Sequence, residues 1–209
     1  MLHWLTPFFT GTGGFRIRAG HFVERHGLIL LIAIGESVVA VGIGLGTDVL
    51  PIGRIIAALL GLALVAGLWW LYFNGEEERA VMAIDEAAEE RRPWLALSSY
   101  GYVFLLILGG IVVIAAGMKL GIVHYNQPAS LSSAAFLSGG VTAYLAGLAL
   151  FRWVLHSGPL PLRLLLAALS VPTVLVGLAF SPIFQLVVLV LLVAAGAAID
   201  TMPKRRDRP

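Results

Sequence analysis

Six stretches of the chain run almost without interruption in apolar and small residues, at 27–46, 55–73, 97–118, 134–151, 164–180 and 183–199. An α-helix rises about 1.5 Å per residue, so each stretch spans or nearly spans the roughly 30 Å hydrocarbon layer of a bilayer. The pattern predicts an all-α integral membrane protein, a bundle of six transmembrane helices. Polar residues divide the chain into an N-terminal segment 1–20, a transmembrane domain 21–200 and a basic tail 201–209. The piece Leu5 to Phe9 is too short for a secretory signal and is interrupted by Pro7. Pro182 reads as a tight hairpin between the last two spans, and Pro172 as a kink inside the fifth.

The sizeable polar interruption is 74–93. Its Ala80, Val81, Ile84, Ala87 and Ala88 recur at helical spacing opposite Glu86, Glu89 and Glu90, which predicts a short amphipathic helix lying against the membrane or the bundle. Glu76, Glu77 and Glu78 read as its solvated start, where carboxylates favour the positive end of the helix dipole.

Basic residues set the expected orientation. Twelve of the fourteen fall on one side of the six-span topology, leaving Arg54 and Lys119 on the other. By the positive-inside rule both termini are cytoplasmic. The five tryptophans, Trp4, Trp69, Trp70, Trp94 and Trp153, fall at or near the same boundary, as an interfacial belt does.

Composition agrees: 59% of residues are hydrophobic and 12% charged, against about 25% charged in a soluble domain. The sequence pI near 9.2 comes from charge spread by topology rather than from a patch, so nucleic acid is not an expected partner. Without cysteine, thiolate chemistry and thiolate metal sites are excluded. His21 and His26 do not share a helix face, and no histidine pair stands at matched depth for a haem. No catalytic triad, phosphate loop or metalloprotease helix is present, and neither a metal nor a cofactor is expected.

Glu36 is the most informative residue, the only charge in the run 27–46 and close to its centre. An ionised acid at bilayer mid-depth costs about 2.5–3.5 kcal/mol, so it must be neutralised, paired or used. If the helix runs unbroken from about residue 20, His21, Arg25 and Glu36 project within roughly a 60° arc, with Glu24 about 60° to one side. Arg25 is then about 16 Å from Glu36, too far for direct contact. Two readings stand. In one, Glu36 carries a proton or coordinates an ion; in the other it is a structural acid bonded across helices, with Ser37, Thr142, Tyr144, Tyr100 and Tyr102 as candidate partners. Gly42 with Gly46, Gly117 with Gly121, and Ala63 with Gly67 are expected to let helix backbones approach.

The segment His21-Phe-Val-Glu24-Arg25-His26-Gly-Leu, followed by Gly35-Glu36-Ser37, resembles the signature H-F-x-E-R-x-x-L-x-x-I-x-x-G-E-S of the bacterial low temperature requirement A (LtrA) family. Trp69-Trp70-Leu71-Tyr72-Phe73 and Tyr100-Gly-Tyr102 are similar to that family as well. These motifs cover about the first half of the chain, and the later spans agree in hydropathy. An acidic-aromatic E-L-F-F-D-L-V-F-V motif that opens longer members has no counterpart here, so the resemblance is to their C-terminal half. It implies a multi-pass protein of the bacterial cytoplasmic membrane, acting as a homo-oligomer or beside a separate N-terminal-half subunit. It brings no shared biochemical activity.

The function expected from these residues is a secondary transporter or ion-translocating component acting on a small ion or solute in the lipid bilayer. Glu36 would be the proton- or cation-linked group, Ser37 an accessory ligand, and His21, Glu24 and Arg25 a cytoplasmic gate or relay. The alternative is a non-catalytic scaffold or assembly protein in which Glu36 is a structural buried acid. No catalytic residue is assigned, because an enzyme site needs convergent polar groups and Glu36 stands alone.

Overall fold

The computed structural model describes residues 18–46 and 50–201, and the helices follow the apolar runs. Helix α1 spans Ala19–Leu45, α2 Ile52–Phe73, α3 Glu76–Glu86 and α4 Arg92–Ala96; a π-helical segment Leu97–Val103 leads into α5, Phe104–Val123. Helix α6 spans Leu131–Leu155, α7 Pro161–Ser170, α8 Thr173–Ala179 and α9 Pro182–Thr201. Among the described residues, six helical stretches are long and apolar enough to cross a membrane. Most of the N-terminal segment and of the basic tail, with Trp4, lie outside the described residues.

Helix α1 begins inside the charged lead-in, so His21, Glu24, Arg25 and Glu36 ride on one unbroken helix. Gly27 and Gly35 do not interrupt it. The fifth span is broken, as Pro172 predicts. The missing N–H leaves a two-residue gap between α7 and α8, and Thr173 Oγ1 turns back to the Ser170 carbonyl at 2.7 Å.

Between lipid tails and apolar side chains there is no hydrophobic driving force, so close packing must hold the bundle. Helices α5 and α6 meet backbone to backbone: a Cβ on Gly110 would stand 2.8 Å from the Gly140 carbonyl oxygen, and one on Gly140 equally close to that of Gly110. Gly117 and Gly147 repeat the contact a heptad further along each helix. Gly121 lies against Pro182 and Ser133, and Gly67 against Val193. Two expected glycine contacts differ. Gly42 faces open space and Gly46 ends α1 at φ 72°, while Ala63 is exposed. A small residue permits close approach, but which helix arrives is decided by the whole bundle.

The tryptophans Trp69, Trp70, Trp94 and Trp153 point outward near one end of the bundle. Arg79, Arg91, Arg92, Arg152 and Arg163 collect at that same end, while Arg54 closes the opposite one, donating to the Leu45 carbonyl at 3.2 Å.

Candidate functional site

Glu36 lies on the outward face of α1, exposed, with no hydrogen bond or ion pair among the described residues. Nine residues separate it from Leu45, or about 14 Å along the axis. The lead-in residues His21, Glu24 and Arg25 are exposed too, and His21 Nδ1 stands 3.9 Å from Glu24. One outer helix face therefore carries a charged end and, well inside the apolar run, a carboxyl.

Ser37 turns the other way: it is buried, and its hydroxyl makes no hydrogen bond among the described residues. The structure does not bring it to the Glu36 carboxyl, since consecutive helical residues diverge by about 100°. The cross-helix partners expected for Glu36 are engaged elsewhere. Tyr144 donates to the Leu68 carbonyl at 2.7 Å, Thr142 bonds Ser138 and Ser170, and Tyr100 lies in the aromatic core.

The interior holds a second polar constellation, which the sequence did not single out. Gly75, at φ 106°, adopts a left-handed turn between α2 and α3 that glycine tolerates without strain. The turn aims Glu76 into the bundle in line with Ala80 and Ile84, the buried face of α3. Glu76 is 1% exposed, and its reading as a solvated helix start is thereby corrected; Glu77 is half-buried, and of the three acids Glu78 alone is exposed. Arg152 donates to Glu76 through Nε at 2.7 Å and also through Nη2. Arg163 donates through Nη2 to Asp200 at 2.5 Å and to the Leu71 carbonyl at 3.2 Å, with Glu76 at 3.5 Å. Arg79 stands 3.3 Å from Glu76. Two arginines thus share two acids and tie together α2, α3, α6, α7 and α9 at their basic ends.

This network is not fully satisfied. Glu76 Oε2 and the Nε and Nη1 of Arg163 have no hydrogen-bond partner among the described residues. The hydroxyls of Tyr72 and Tyr100 lie beside each other, buried in an aromatic cluster with Phe104 and Phe151. The π-helical segment places Tyr100 there; such insertions recur at functional sites because they re-aim one side chain inside an otherwise regular helix. His26 joins the cluster with its ring 4.7 Å from that of Tyr100, and its Nδ1 bonds the Phe22 carbonyl at 2.8 Å.

Glu77 occupies the crevice between α1 and α3. A Cβ on Gly27 would overlap its carboxyl oxygen, so a larger residue there would make the acid shift. Burial, and secondarily the neighbouring Glu24, push the Glu77 carboxyl above the usual carboxylate range. Among the described residues no group of three or more histidines and acids is arranged to hold a metal ion.

A family model described as "Bacterial low temperature requirement A protein (LtrA)" matches residues 1–198. The match runs through the later spans, where motifs were lacking. The uncharacterized protein RA0937 of Rhizobium meliloti (strain 1021) is 27% identical over 127 residues, 61% of this chain and 31% of that relative. The matched segment is therefore less than a third of the relative's length. No solved structure matches.

Proposed function

The chain belongs to the bacterial low temperature requirement A (LtrA) family, and on that premise we propose that it is an ion-linked component of a membrane transport assembly in the bacterial cytoplasmic membrane. Glu36 is the group that takes up and releases a proton or small cation. One observation carries this reading: a lone carboxyl on the outward face of a helix long and apolar enough to cross a membrane, well inside its apolar run. Such a group costs energy for as long as it faces acyl chains, so its position favours a role completed by something docked against α1. His21, Glu24 and Arg25 lie on or beside that face at its polar end and serve as the approach from water. The interior supports the same division of labour. Its acids Glu76 and Asp200 are paired by two arginines, whereas Glu36 has no cation beside it among the described residues.

The experiment is proton or cation flux in vesicles reconstituted with the purified protein, wild type against Glu36→Gln. The reading predicts that flux is lost in the variant while folded yield is unchanged. Equal flux from the two proteins contradicts it.

A further inference from the structure

We propose that the cleft between α3, α4 and the turn after α6 binds a phosphoryl group, held by Arg79, Arg91, His156 and Ser157. The site lies at the basic end of the bundle and stands apart from Glu36.

The cleft measures about 670 Å³, within the size range of small-molecule sites. Part of its lining is apolar, including Met82, Leu95 and Leu155. Against that lining stand donors that the fold leaves unused. Arg91 is exposed, and its guanidinium makes no ion pair or hydrogen bond among the described residues. Its neighbour Arg92 is engaged instead, donating to the Asp85 and Ala87 carbonyls and so fixing the turn that carries Arg91. Ser157 Oγ is buried and has no partner among the described residues. Arg79 Nη1, also buried, stands 3.3 Å from Glu76 yet makes no hydrogen bond there.

His156 adds a backbone observation. It ends α6 at φ 52°, the one non-glycine residue in the left-handed region among the described residues. Glycine is the usual occupant of such a position, because it carries no Cβ penalty there. The amides of His156 and Ser157 already satisfy the Trp153 and Arg152 carbonyls, so the turn itself does not need an imidazole. A side chain kept against that strain points to a role for the ring, and His156 lines the cleft.

Charge selects the ligand. Two guanidinium groups, an imidazole and a hydroxyl stand against one carboxylate, Glu86, so donors and positive charge prevail. Planar guanidinium forks match the oxygens of a phosphoryl group. Place suggests its source. Trp94 and Trp153, each within two residues of a lining residue, are exposed, as they are at a membrane boundary where lipid headgroups concentrate phosphate. Free phosphate offers the same group, and the test separates the two.

The test is ligand-dependent thermal stabilisation of the full-length protein in detergent, which reads binding to the folded state. The probes are dioctanoyl phosphatidic acid, dioctanoylglycerol as the same molecule without phosphate, and inorganic phosphate against chloride at matched ionic strength. The variant is Arg91→Gln with His156→Gly. It breaks no side-chain contact of the fold at Arg91, and glycine relieves the left-handed turn, so folded yield should hold. Lys119→Gln, exposed on α5, is the charge control. The proposal predicts that phosphatidic acid stabilises wild type and Lys119→Gln, that dioctanoylglycerol does not, and that the double variant binds about tenfold more weakly or worse. Equal stabilisation by dioctanoylglycerol overturns it, and so does a phosphatidic acid effect that the double variant retains. A shift with inorganic phosphate that the double variant loses upholds the site and assigns it a soluble source. No shift with either phosphate probe overturns the proposal.

Discussion

Arg152 and Glu76 stand 76 residues apart in the chain, yet two nitrogens of the guanidinium reach one carboxylate oxygen, and both side chains are 1% exposed. The pair pins the first turn of α3 to the last turn of α6. It sits where two helix ends would otherwise splay.

Breaking such a pair from one side is costly because the remaining charge stays buried. Glu76→Gln should destabilise the protein by about 3–5 kcal/mol, since Arg152 loses its main partner and Arg163 keeps a single carboxylate, Asp200, beside the Leu71 carbonyl. Thermal unfolding in detergent measures the loss. Glu76→Leu combined with Arg152→Met should be less destabilising than Glu76→Leu alone, and a double-mutant cycle on that pair reads out the coupling.

The glycine contact between α5 and α6 has no slack on the backbone side. Gly140→Ala places a methyl group 2.8 Å from the Gly110 carbonyl oxygen, so the helices must separate. The expected cost is about 1–3 kcal/mol. Gly139→Ala, one residue away with nothing within 4 Å, should leave the unfolding midpoint unchanged.

Glu77 predicts a pH dependence of definite sign. Its carboxyl is held above the usual range in the folded protein, so the fold prefers the protonated form. At pH values above the raised pKa it lowers stability. The penalty fades as pH falls through that pKa, and is gone below the unfolded value of about 4.3. Glu77→Gln should therefore melt higher than wild type at neutral pH, with the difference closing in acid. Melting curves at several pH values test the trend.

The six helices were legible because long apolar runs have one stable solution in a bilayer. Pro172 was legible for an equally local reason, since the missing N–H acts within one turn. Glu76 was not. Three consecutive glutamates read as a solvated helix start, and what buries the first of them is Arg152 and Arg163, contributed by helices 76 and 87 residues away. Those arginines looked like markers of topology. Only the assembled bundle shows that they also neutralise an interior acid. The signal that was available is the turn residue Gly75, which redirects the chain immediately after an apolar span. For Glu36, helical spacing placed it with His21 and Arg25, as observed; that this shared face points out of the bundle, away from Thr142 and Tyr144, followed from packing alone.

The central claim is that Glu36 exchanges a proton or cation, and infrared difference spectroscopy between acid and alkaline pH reads its protonation directly. Purified wild type is compared with Glu36→Gln in the same lipid. The account predicts a protonated-carboxyl band that gains and loses intensity with pH in the wild type and is missing from the variant. A wild-type spectrum identical to that of Glu36→Gln at every pH would contradict it, and leave Glu36 as a fixed element of assembly.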